Sequence, residues 1–374
     1  MSAAEREPIR IDGSYGEGGG QILRTALSLS VALRRGVRLE NIRAKRPKPG
    51  LRPQHLMAVR AAAQISGAVV EGDGIGSREL LFVPQHPPAS GAYTFDVGAT
   101  EAGGSAGAVS LVFQTVFLPL SLADAPSDVI LIGGTHVPWS PPFHYLAHVF
   151  LPSVARLGLR ADLQLEQWGW YPKGGGIVRA RIWPRQASPA AEAWGETGSR
   201  RGRVLRVWGI SAASNLPAHV AQRQKAQSQE GLRKAGLRAE MEEVAAPASG
   251  IGTVVFLTAE YENGIGGFTA YGALRKPAEK VADEAVRDLV KFHASKAMVD
   301  SHLADQLLLP IVMCGAEASF TTPQVTEHLT TNAWAIEQFL GPLVEIQPRE
   351  RDTLVVVRRA SPDIRARSCI DLDG

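Results

Sequence analysis

Cysteine is almost missing from this chain, with Cys314 and Cys369 the only two among 374 residues. Two distant cysteines cannot staple a small secreted scaffold and show no metal-ligand spacing, so a reducing compartment, the cytoplasm, is expected. No uninterrupted apolar run reaches bilayer length, and the first residues carry Glu5, Arg6, Glu7 and Arg10 where an export signal needs an apolar core. Export and membrane spanning are therefore not expected. The nine histidines form neither a zinc-finger nor an H-E-x-x-H pattern. An excess of either charge is lacking too, since 40 Lys+Arg face 37 Asp+Glu.

What is present fits a folded protein. Hydrophobic residues make up 45%, and 38 glycines with 24 prolines predict many turns rather than disorder. The length allows two or three domain masses, or one large domain carrying an insertion. Charge is clustered. Arg34, Arg35, Arg38, Arg43, Lys45, Arg46, Lys48 and Arg52 stand against Glu40 alone. Arg200, Arg201, Arg203, Arg206, Arg223, Lys225, Arg233, Lys234 and Arg238 stand against Glu230 alone. Both stretches suit a polyanion, although a charge run by itself is more often a solvated face.

A loose internal repeat organises the N-terminal half. Asp12-Gly13-Ser14-Tyr15-Gly16-Glu17-Gly18-Gly19-Gly20 recurs as Asp96-Val97-Gly98-Ala99-Thr100-Glu101-Ala102-Gly103-Gly104. Each copy follows a short extended run and precedes an apolar stretch, Ile22 to Leu33 and Ala106 to Leu118, which predicts a strand, glycine loop and helix used twice. Gly133-Gly134-Thr135 turns from a strand into a helix over 143–157. A related unit closes the chain: helix 303–313, strand 318–322, and a helix over 332–340 capped by Asn332 and ended by Gly341. Repeated βα units predict a mixed α/β fold. The Ala/Pro/Ser/Gly-rich run from Pro184 to Arg203 marks a boundary. Residues 1–184 and 277–359 are expected to form a large domain, 185–276 a small inserted α/β domain, and 360–374 a polar tail.

The first glycine loop opens a helix, and its backbone N–H groups with the helix dipole make a seat for phosphate. It matches neither the Walker loop nor the dinucleotide fingerprint. Glu17 in such a loop would repel phosphate unless a metal lay between them, and Asp305 is a second candidate ligand. Arg24, Arg43 and Arg46 carry guanidinium forks suited to a terminal phosphate. His328 is expected just before a helix N-terminus, whose positive end favours the neutral, nucleophilic imidazole.

Asp12-Gly13 and Gly16 to Arg24, followed by Ile42-Arg43-Ala44, Lys48-Pro49-Gly50-Leu51 and Gln54-His55-Leu56, resemble the RNA 3'-terminal phosphate cyclase family. Gln114-Thr115, Gly133-Gly134-Thr135, Pro141-Pro142, Tyr171-Pro172 with Gly174-Gly175-Gly176, Leu303 to Leu307 and Thr326 to Glu337 extend the match in order. The resemblance implies a large domain of repeated βα units related to the enolpyruvyl transferase fold, with a smaller inserted α/β domain. It implies a ligase-class enzyme that uses ATP and Mg2+ or Mn2+ on RNA with a 3'-phosphate end. His328 would attack the ATP α-phosphorus, AMP would pass to the RNA phosphate, and the adjacent 2'-hydroxyl would close a 2',3'-cyclic phosphate. By position, Glu17 and Asp305 would hold the metal, and Arg24, Arg43, Arg46 and Gln54 the phosphates. Gln114, Pro141, His302, Asp305 and Gln306 would form the nucleotide pocket. His302 stands where bacterial members carry tyrosine, and the loop from Gly98 to Gly107 is longer than the family's turn. A homodimer is one open oligomeric state. Two other readings are a non-catalytic ribosome-assembly relative and an enolpyruvyl transferase.

Overall fold

A computed structural model describes residues 7–100, 104–187 and 201–360. Glu5 and Arg6, the loop residues Glu101 to Gly103, most of the 184–203 junction with Arg200, and the tail from 361 with Cys369 lie outside the described residues. Cys314 is buried with a free thiol. Among the described residues no helix is long and apolar enough to cross a membrane.

The first unit runs β1 (Ile9–Asp12), α1 (Gln21–Leu33), β2 (Val37–Glu40), α2 (Pro53–Ser66), β3 (Val69–Glu71) and β4 (Leu80–Val83). Its sheet has the order β1-β2-β4-β3, with β1 and β2 parallel and the rest antiparallel. The second unit repeats this with β5 (Ala92–Asp96), α3 (Val109–Ser121) and β6 (Ser127–Gly133). Then come α4 (Phe143–Tyr145, a π-helical turn Leu146–Phe150, and Leu151–Ala155), β7 (Arg160–Gln167) and β8 (Gly176–Trp183). The sheet order is β5-β6-β8-β7, the same pattern.

An insertion follows: β9 (Val204–Ser214), α5 (His219–Lys234), β10 (Glu240–Ala245), β11 (Gly252–Tyr261), β12 (Gly264–Tyr271) and α6 (Ala278–Ser295). The sequence places α6 with the large domain. In the fold its apolar stripe, Val281, Ala282, Ala285, Leu289 and Phe292, packs in one core with Val255, Leu257 and Ala270 of the insertion's sheet. The third unit is α7 (Ser301–Met313), β13 (Ala318–Thr322), α8 (Glu327–Leu340), β14 (Val344–Pro348) and β15 (Thr353–Val357), in the order β13-β15-β14. Its first strand is reduced to an isolated parallel bridge between Val299 and Ile265.

The repeat has a local physical signature. Asp12 Oδ1 accepts the Ser14 N–H at 2.9 Å, Asp96 Oδ1 accepts the Gly98 N–H at 2.8 Å, and Asp300 Oδ1 accepts the His302 N–H at 2.8 Å. Each unit thus ends its first extended segment on an aspartate that turns the chain by bonding two residues ahead. Helices α1, α3 and α7 are largely apolar and buried in one shared core, α1 packing on α3 and α8, and α7 on α8. Strand β8 alternates buried and exposed residues, so its sheet turns one face to the core and the other outward.

Helix α8 differs from expectation. It begins at Glu327 rather than Asn332, because Thr326 is the cap, its Oγ1 accepting the Leu329 N–H at 3.1 Å. Asn332 is instead a buried residue inside the helix, and His328 sits in the first turn.

Candidate active site

The ends of α1, α3, α7 and α8 meet β12 and α6 of the insertion around a cleft of about 640 Å3. One part is polar, with Arg24, Asp305 and His328; much of the rest is apolar, with Phe117, Pro141 and Phe150 among its walls. Pockets of this size and character hold small organic ligands.

The glycine loop before α1 is shaped by what it must admit. A side chain at Gly20 would place its Cβ 2.3 Å from His55 Nε2 and 2.9 Å from an Arg24 nitrogen. One at Gly19 would lie 2.6 Å from Glu17 Oε1 and 2.9 Å from an Arg46 nitrogen. Glycine is therefore required so that charged groups of the first unit can close over the backbone. His55 is buried, and burial with the fields of Arg24, Arg43, Arg52 and Arg46 holds its imidazole well below its ordinary value and neutral. Its Nδ1 accepts the Arg52 N–H at 3.3 Å, leaving Nε2 toward Gly20.

His328 lies between acids and arginines. Its Nδ1 is buried, 2.9 Å from Glu17 Oε2 but not aligned for a hydrogen bond, and neither atom has another partner. The side chain is nonetheless 46% exposed, so the opposite ring edge, carrying Nε2, is the part open to the cleft. Burial lowers its pKa; Arg24 and Arg46 add to this, while Asp305 opposes it. Arg46 pairs with the other carboxylate oxygen of Glu17. Asp305 is buried, and that burial raises its carboxyl to about 6 against the pull of His328, His302 and Arg24. Arg24 falls to about 10 through burial, partly offset by Asp305, and stays cationic at neutral pH.

A chain of side chains fixes this arrangement. Arg24 Nη2 donates to Gln21 Oε1 at 2.7 Å, Gln21 Nε2 to Thr25 Oγ1 at 3.3 Å, and Thr25 Oγ1 to Asn332 Oδ1 at 2.7 Å. Asn332 Nδ2 in turn donates to the Asp305 carbonyl at 2.6 Å, tying α1, α7 and α8 together. Asp300 caps α7 and also accepts the Tyr145 hydroxyl at 2.9 Å and the Gly267 N–H at 3.1 Å, so it fastens both α4 and the insertion to the same helix.

The predicted residues fall into two groups. Arg24, Gln114, Pro141, His302, Asp305, Gln306 and His328 line the cleft. Gln114 Nε2 donates to Gln306 Oε1 at 2.5 Å, and Gln306 Nε2 donates to the His302 carbonyl at 2.7 Å. Glu17 and Arg46 stand beside the cleft against His328. Arg43 and Gln54 do not line it. Arg43 Nη1 donates to the carbonyls of Lys48 and Gly50 at 2.7 and 2.9 Å, and Gln54 Oε1 accepts the Ala108 N–H at 3.0 Å at the start of α3.

Gln21, Thr25, His55 and the cleft wall from the insertion carried no role in the sequence, and Asn332 was read there only as a helix cap. Nothing local marks this network, because the bonds that join it to the site, Thr25 to Asn332 and Asn332 to Asp305, run between separate helices. For a divalent ion, the donors fit one shared with a substrate. Glu17 Oε2 is buried without a hydrogen-bond partner and Asp305 is a buried carboxylate, while no cluster of three or more possible protein ligands exists among the described residues.

Comparison with known proteins bears on what this site does. A profile of the family described as RNA 3'-terminal phosphate cyclase matches residues 15–346. The chain is 48% identical over 355 residues to the RNA 3'-terminal phosphate cyclase of Methylococcus capsulatus, covering 95% of this chain and 97% of that protein. It is 46% identical over 343 residues to that of a Nostoc species, covering 92% and 97%. The one from Archaeoglobus fulgidus is 41% identical over 339 residues, covering 91% and 98%.

Proposed function

The chain belongs to the RNA 3'-terminal phosphate cyclase family and is an enzyme of that class, and from this membership and the cleft geometry we propose that His328 carries AMP during ATP-dependent cyclisation of an RNA 3'-phosphate. The observation that carries the reading is the ring of His328, its Nδ1 buried beside Glu17 and its side chain lining a nucleotide-sized cleft.

In the first step His328 Nε2 attacks the α-phosphorus, a P–N bond forms, the bond to the β-phosphate oxygen breaks, and diphosphate leaves. An RNA 3'-phosphate oxygen then attacks the same phosphorus, making an anhydride and releasing the histidine. Finally the 2'-hydroxyl attacks the terminal phosphorus, loses its proton and expels AMP. Activation is needed because a phosphate monoester has no good leaving group. The last step gains from proximity, the hydroxyl being on the same ribose. Glu17 and Asp305 would hold the Mg2+ or Mn2+ ion, which supplies charge neutralisation at the phosphate oxygens. Arg24 adds a fixed cation, and Arg46 holds Glu17 in place. Arg43, Arg46 and Gln54, which lie outside the cleft lining, would receive the RNA end.

The cytoplasm remains the expected compartment on the low cysteine content. An open nucleophilic ring in a deep cleft favours an enzyme over a purely structural relative. The test is incubation with α-labelled ATP and magnesium. Acid-labile label on the protein, chased to AMP and a phosphatase-resistant end by a 3'-phosphorylated oligoribonucleotide, is the expected result. A protein that takes up no label lacks the proposed intermediate.

A further inference from the structure

The cleft wall given by the insertion contains an unexplained feature. Thr269 Oγ1 and Tyr271 Oη are both buried without a hydrogen-bond partner, and both residues line the cavity. Nine such side-chain atoms occur among the described residues, and these two, with Glu17 Oε2 and His328 Nδ1, place four of the nine at or beside this one cleft. A buried hydroxyl left unpaired destabilises the protein that holds it, so two on one strand facing one cavity point to a polar ligand group rather than to the fold.

Strand alternation explains their aim. Ala270 of β12 packs into the insertion's own core with α6, and the alternation turns Gly267, Thr269 and Tyr271 to the face toward the large domain, while Phe268, packed against that core, also reaches the cavity. Gly267 anchors that face, because its N–H is held by Asp300, the cap of the helix carrying His302, Asp305 and Gln306. Thr269 and Tyr271 then lie about 7 and 13 Å along the strand from that anchor. Burial raises the Tyr271 hydroxyl, so it stays protonated and able to donate. Pro141, Tyr145 and Phe150 present apolar surface to the same cavity, suited to a flat ring, while Arg24 and His328 suit phosphate.

We propose that Thr269 and Tyr271 hydrogen-bond the edge of the purine base of the bound nucleotide and so set which base is accepted. This rests on the reading of the cleft as an ATP site. A hydroxyl both donates and accepts, which matches an adenine edge carrying an amine beside a ring nitrogen. The insertion then serves selection of the nucleotide, while the repeated units supply the reacting groups.

The experiment measures self-adenylylation by the full chain with ATP, with purine riboside triphosphate, which lacks the amine, and with 2'-deoxy-ATP. It compares the unaltered protein with Tyr271→Phe, Thr269→Val and the double variant. In the double variant KM for ATP is expected to rise about tenfold with kcat little changed. Preference for ATP over the amine-free analogue is expected to collapse, with preference over 2'-deoxy-ATP retained. Melting without nucleotide should show an unchanged or higher Tm, since only unpaired hydroxyls are lost. Unchanged KM and preference overturn the proposal, as does a lower Tm with unchanged KM, which would mark a structural role. Loss of discrimination against 2'-deoxy-ATP overturns the base assignment in favour of the ribose. An unaltered protein that ATP does not label at all overturns the parent reading of the site, a result distinct from any of these.

Discussion

The basic stretches at 34–52 and 201–238 meet different fates in the fold. In the second, Arg203 pairs with Glu262, Arg206 with Glu240, Arg223 with Glu279, and Arg233 and Lys234 with Glu230. Arg201 is buried under the end of α6, donating to the carbonyls of Phe292 and His293 at 3.1 and 2.8 Å. The expectation of a polyanion-binding insertion thus meets a surface whose cations are largely neutralised, by Glu230 within α5 and by acids arriving from β10, the β11–β12 turn and α6. In the first stretch, Arg43, Arg46 and Arg52 converge with Arg24 on one buried, neutral histidine beside the glycine loop. The difference teaches that a run of cations becomes a site where the fold gathers the charges inward around a cleft, with the acids they meet, Glu17 and Asp305, also at that cleft, rather than pairing each cation off on the surface.

The largest expected effect removes the nucleophile beside this inward cluster, His328, which shares Arg24 and Arg46 with it. His328→Ala should lower α-labelled ATP incorporation by at least about a thousandfold, measured as protein-bound label. Next comes the direct contrast of the two stretches' surroundings. Arg24→Ala should cost about a hundredfold in labelling, because a buried fork facing phosphate is lost. Arg223→Ala, which breaks an exposed pair, should stay within about twofold in labelling and RNA-dependent turnover. Equal losses in the two variants would erase the distinction.

Asp305 tests the same cluster through pH. Its folded carboxyl is raised to about 6, so at pH 7 it is ionised at a cost to the folded state. That cost is full above about 6 and disappears as the pH falls toward the ordinary carboxylate range. Asp305→Asn should therefore raise stability in urea unfolding at pH 7 by about 2–3 kcal/mol, with the gain gone near pH 4, while labelling falls. Since His328 is held below its ordinary value, wild-type labelling should persist down to about pH 6 and decline below it as the coupled Asp305 and His328 take up protons.

The smallest contrast compares the glycine loops of the first two units. Gly20→Ala would push a Cβ to 2.3 Å from His55 Nε2 and should cost about 1–3 kcal/mol in thermal unfolding. Gly98→Ala, whose nearest atom is Asp96 Oδ1 at 3.1 Å, should cost less than about 1 kcal/mol. If the two are equally costly, the first loop is not specially shaped around its charged neighbours.

Much of this architecture was legible in residue order. The aspartate–glycine repeat predicts two related units because the same turn bonds recur at Asp12 and Asp96, and the apolar runs predict α1, α3 and α7 because helices buried on all sides need no polar face. Asn332 misled, since a capping residue type before an apolar run looks like a helix start, whereas its amide is spent across α1 and α7.

Residue order alone determined the turns at Asp12 and Asp96, the apolar helices α1 and α3 and the chemical types available at the cleft, because those depend on neighbours a few positions away. Tertiary structure alone decided which arginines meet acids and which meet His55. It also decided that Glu17 faces His328 across 311 positions of chain, and that Thr269 and Tyr271 turn unpaired hydroxyls into the nucleotide-sized cavity. The physical reason is that charge pairing and desolvation are set by distance in space, which chain separation does not encode.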